Sequence, residues 1–70
     1  MSTQPQADAA RSFAAANRAS DHQQSWMMSF QAACMRHDWE AAEAARAGVL
    51  ASIDSFMDNY AAGYKRMESA

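Results

Sequence analysis

The chain is short of the features that usually stabilise a small domain or give it a chemistry. Its one cysteine, Cys34, leaves no internal disulfide, and cysteine used so sparingly fits a reducing compartment. One proline and two glycines in 70 residues give the backbone few places to turn. No stretch alternates apolar and polar residues as a strand does. Six basic residues against eight acidic ones give a formal net charge of −2. A protein that neutralises phosphates needs the opposite balance, so nucleic acid is not an expected partner. No window reaches the roughly 18 consecutive apolar residues of a membrane span. The opening MSTQPQADAARSF has neither the basic nor the apolar region of a secretory signal. These absences lead to the expectation of a cytoplasmic, bacterial protein with no membrane span.

What is present is helix. From Asp38 to Met67 the large apolar residues are Trp39, Val49, Leu50, Ile53, Phe56, Met57, Tyr60, Tyr64 and Met67. At about 100° per residue they fall on one stripe roughly 120° wide. Glu43, Ala47, Asp54, Asp58, Lys65 and Arg66 take the opposite arc. Asp38 suits the N-cap, Glu40 and Glu43 lie near the positive end of the helix dipole, and Lys65 and Arg66 near the negative end.

The first half is read less sharply. Residues 1–6 are polar, hold the proline and are expected to fray. Ala7 to Ala19 favours helix by propensity, with Phe13 its only large apolar residue. Ser20-Asp21-His22-Gln23 fits an S-x-x-Q capping box and could restart a helix. No glycine or proline breaks the run, so one helix over about 7–36 is the preferred reading. Trp26, Met27, Phe30, Ala33 and Cys34 form an apolar face that Met28 and Met35 carry round to an arc of roughly 200°. A face that wide needs at least two neighbours.

Only residues 36–38 separate this helix from the second, over 39–68, and so short a link makes the two antiparallel neighbours. The expected fold is all-α, an antiparallel helical hairpin as a single domain over 7–70. Its seam is expected to use Trp26, Met27, Phe30, Cys34, Trp39, Val49, Leu50, Ile53, Phe56, Met57 and Tyr60. A chain this short buries only about 60% of its unfolded surface, and its core supplies at most about 3–5 kcal/mol. Completion by oligomerisation, with a homodimer the first expectation, or by a partner helix is therefore expected. Gly48 falls on the polar side, and Gly63 lies near the stripe, where it allows a close neighbour.

Candidate chemistry is thin. Cys34 and His37 could share an ion or form a nucleophilic pair, yet zinc needs three or four ligands and only distant His22 and carboxylates remain. No glycine-rich phosphate loop or nucleophile elbow is present. The expectation is no enzyme, no metal and no cofactor. Arg46 sits within the apolar stripe, either lying along it with its head in water or engaging an interface. Met28 and Met35, seven apart on the outside of the seam, read either as a second core layer made by self-association or as an adaptable binding strip. Met28, Met35 and Arg46 are thus the candidate partner-binding residues.

The stretch HDWEAAEAARAGVLASIDSF, through Asp38, Trp39, Glu43, Val49, Leu50 and Ile53, resembles the small helical-hairpin chaperones of bacterial flagellar and type III secretion systems. That resemblance implies a protein that holds an export client or co-chaperone in a helical groove. A looser similarity, at Phe13-Ala-Ala-Ala-Asn17, is to phasin-like granule-coating proteins. The expected function is a protein–protein interaction module of this chaperone kind. The alternative is a homo-oligomeric four-helix bundle or granule coat without a client.

Overall fold

The computed structural model describes the backbone of residues 4–69 and the side chains of residues 6–68. Two helices, α1 (Gln4–Met35) and α2 (Trp39–Ser69), pack along their whole length as an antiparallel hairpin of 57 × 13 × 11 Å. The fold is all-α, with no strand among the described residues. The helix α1 runs unbroken through Ser20, so propensity and the absence of a breaker outweigh the local cap. It also begins at Gln4, earlier than expected, with Pro5 in the first turn, where a missing N–H costs nothing. The fraying expected of residues 1–3 lies outside the described residues.

The turn explains why so short a link suffices. His37 adopts a left-handed conformation, φ 62°. Its N–H donates to the Cys34 carbonyl at 3.0 Å and the Asp38 N–H to the Ala33 carbonyl at 2.9 Å, the paired bonds of a Schellman ending. Asp38 then caps α2, its carboxylate accepting from the Ala41 N–H at 3.2 Å. One residue after another thus ends one helix and starts the next. The His37 ring lies parallel to the Trp39 indole, 6.0 Å between centroids.

The seam differs from the one expected. The buried residues are Ala9, Ser12, Ala16, Ala19 and Ala33 from α1, and Ala42, Ala45, Val49, Ser52 and Gly63 from α2. Of the large residues expected there, only Val49 is buried. Phe30, Cys34 and Phe56 are half-buried, while Trp26, Met27, Trp39, Leu50, Ile53, Met57 and Tyr60 stay exposed. The reason is steric. A row of alanine, serine and glycine lets the two backbones approach closely, and at that separation most of the larger side chains stand outside the gap. Ser52 and Asn59 are satisfied within α2: the Ser52 hydroxyl donates to the Gly48 carbonyl at 2.9 Å, and the Asn59 amide to the Ser55 carbonyl at 2.8 Å.

Two aromatic rings lock the register. Trp26 covers Gly48 so closely that a Cβ there would overlap the indole. Gly48 is therefore part of the packing and not an idle position on the polar side. Phe13 does the same to Gly63, where a Cβ would stand 2.6 Å from its ring. Phe13 also meets Tyr60 and Tyr64 edge-on, with centroids 5.2 and 5.3 Å away. Thus the alanine-rich start of α1 is held by its one large side chain. At the same open end, Arg66 crosses to α1, donating to the Ser12 hydroxyl and, at 3.5 Å, to the Asp8 carbonyl.

Candidate interaction surface

With the small residues turned inward, the large ones of α2 are left outside. Trp39, Glu43, Arg46, Leu50, Ile53, Met57, Tyr60, Tyr64 and Met67 follow one another in alternating steps of four and three residues. That is the spacing of a seam made for a second helix. The inward row, Ala42, Ala45, Val49, Ser52, Phe56, Asn59, Gly63 and Arg66, has the same alternation about 100° round the helix. So α2 carries two seams, and α1 occupies the one built of smaller residues. Leu50 is 55% exposed, Met57 63% and Trp39 62%.

The outer stripe is a continuous surface with its own relief. Phe56, Tyr60 and Tyr64 stack along one side of α2 at centroid spacings of 5.3 and 5.6 Å, and Phe13 extends that cluster onto α1. Further toward the turn, Met27, Phe30, Arg46, Val49 and Leu50 surround a dimple of about 120 Å³. Arg46 makes its ion pair with Glu43 on its own helix, at 3.0 Å. Both groups are exposed, so the pair adds little stability. It nevertheless fixes the guanidinium at the turn end of the stripe, opposite in position to the tyrosines.

The other expected partner residues lie elsewhere. Met28 and Met35 are on the side of α1 turned away from α2, and Met35 is 82% exposed. They are not brought together with Arg46. The opposite flank of the hairpin carries an open groove of about 460 Å³ bounded by Arg18, His22, Trp26, Ser52, Ser55 and Asn59, among others. Its amide and both of these serine hydroxyls are already bonded within α2. Cys34 is a free, half-buried thiol. No group of three potential metal ligands converges among the described residues, and no described helix is long and apolar enough to cross a membrane.

Sequence reasoning missed the inward roles of Gly48, Ser52 and Arg66. The signal was there in the shared three-and-four spacing of the small residues, which a projection weighted by hydrophobicity passes over. Comparison of the chain with protein-family models, curated proteins and solved structures returned no match.

Proposed function

We propose that the chain is a helical protein–protein interaction module whose working surface is the outer stripe of α2, extended by Phe13 and Met27 from α1. The observation that carries this reading is the exposure of Leu50, Ile53, Met57, Tyr60 and Tyr64 at seam spacing while α1 packs on a different row. Monomeric proteins rarely expose contiguous apolar patches beyond a few hundred Å², and an amphipathic helix laid along such a stripe is a common mode of recognition. Arg46 would act at the rim of that surface. Met28 and Met35 would offer a smaller, separate contact. A hairpin with one helix-accepting face also fits the resemblance to small secretion chaperones, whose clients are held as helices.

The test is site-specific photo-crosslinking in producing cells, with a benzophenone side chain placed at Leu50, at Met57 or at the exposed Ala44 on another side of α2. Discrete adducts of any mass from positions 50 and 57, and few from 44, are expected. Equal labelling from all three positions, or none from the stripe, would remove the reading.

A further inference from the structure

We infer that the occupant of the outer stripe is a second copy of this chain, with the two α2 helices running antiparallel about a two-fold axis near Ile53. The inference rests on the reading of the stripe as a helix-accepting surface and names what fills it.

Three observations favour self-pairing over a different partner. The first is area. The chain exposes 5191 Å², whereas a compact monomer of 7.7 kDa exposes about 4300 Å². The excess, about 900 Å², is close to the roughly 800 Å² that each partner contributes to a standard interface. The radius of gyration agrees: 16.0 Å against about 11 Å for a compact chain of this length.

The second is the pattern along the stripe. Its charged residues, Glu43 and Arg46, both lie toward the turn, and Tyr60 and Tyr64 toward the open end. A parallel pairing would set Glu43 on Glu43 and Arg46 on Arg46. An antiparallel one brings each guanidinium to the tyrosine faces and each carboxylate near a phenolic hydroxyl, both favourable contacts. Ile53 stands midway between Trp39 and Met67, the ends of the stripe, so the two-fold falls there. The dimple beside Leu50 then faces the other copy's Met57 region, and a flexible thioether suits a recess of about 120 Å³.

The third is the poverty of the hairpin's own core: among the described residues, no large side chain is fully buried. A chain held by alanines needs its cover whenever it is folded. The one partner present whenever the chain is made is another copy of it.

The experiment uses the full chain with Cys34→Ser. Ile53→Cys in this background is expected to oxidise rapidly to a disulfide-linked dimer. Trp39→Cys is not, because in the antiparallel pairing its two copies stand about 42 Å apart. Sedimentation equilibrium of the unmodified chain is expected to give twice the 7.7 kDa of one chain at micromolar concentration. Leu50→Asp with Met57→Asp is expected to weaken the pairing at least 100-fold. Efficient linkage through position 39 would overturn the antiparallel arrangement. A fully helical monomer at micromolar concentration, with no linkage through position 53, would overturn self-pairing. In that event crosslinking from positions 50 and 57 to another protein would keep the interaction reading alive, and its absence would end both.

Discussion

The two seams of α2 share a spacing and differ in size of residue, and that difference separates holding the hairpin together from leaving it able to bind. The buried part of the inward row is alanine, serine, glycine and one valine, with Phe56 and Asn59 half-buried beside them, and it brings the backbones together while burying little apolar area. The apolar residues of the outer row are leucine, isoleucine, methionine, tyrosine and tryptophan, and about half of their area remains in water. At about 25 cal/mol per Å² of apolar surface, a large share of the stabilisation still available to this chain lies on the face of α2 that α1 does not cover. A single hairpin is a frame, and its outer stripe is where further free energy is to be gained.

The sharpest way to break the comparison is to enlarge the inward row. Ala16→Leu places a branched side chain where there is no space, at a residue with no exposed surface. The expected loss is about 2–3 kcal/mol, most of what so small a core supplies, read as a lowered midpoint in urea unfolding followed by circular dichroism. By contrast Ile53→Leu on the outer row should shift that midpoint hardly at all. Gly48→Ala comes next. Alanine gains about 1 kcal/mol of helix propensity over glycine, but its Cβ meets the Trp26 ring, so a net loss of about 1 kcal/mol is expected. A gain in thermal midpoint from this variant would show that the indole is free to move aside.

Smaller effects sharpen the picture. His37→Gly removes the left-handed cost of a side chain at φ 62° and should raise stability by about 0.5–1 kcal/mol; a lowered urea midpoint would show that the stack on Trp39 outweighs that cost. Met28→Ser with Met35→Ser, on the far side of α1, should leave unfolding within about 0.5 kcal/mol of the parent. Reduced crosslinking through the α2 stripe in that variant would tie the two faces into one surface. The smallest change is Asp54→Asn. Asp54 borders the stripe near its midpoint, so two copies bring like charges close, and neutralising them should tighten the pairing only two- to threefold while weakening its dependence on salt.

Much of the architecture was legible in the residues. Asp38 marked the start of α2, the three-residue link forced antiparallel neighbours, and the absence of breakers implied one α1. The seam was not legible, for a definable reason. A helical projection ranks positions by hydrophobicity, so it assigned Leu50, Ile53 and Met57 inward and gave no role to Ala42, Ala45 and Ser52. In the hairpin the small residues face the other helix instead, and most of the large ones stand outside. Gly48 was the available clue, because a glycine on a supposedly solvated face has no purpose there until an indole is laid over it. Arg66 was equally hidden. Its charge suited the helix end, and only the neighbouring Ser12 and Asp8 show that it reaches across.

The tight turn has a consequence for how the chain assembles. Residues next to it, such as Ala33 and Ala42, are neighbours after closing a loop of a few residues, whereas Phe13 and Tyr64 are joined through most of the chain. Forming the contacts in order from the turn outward means that each step closes only a short additional loop. The hairpin therefore zips from His37 and unzips from its free ends, and the Phe13 cluster with Arg66 acts as the clasp at the last tooth. Amide protons beside the turn should exchange slowest, and those beyond the clasp fastest.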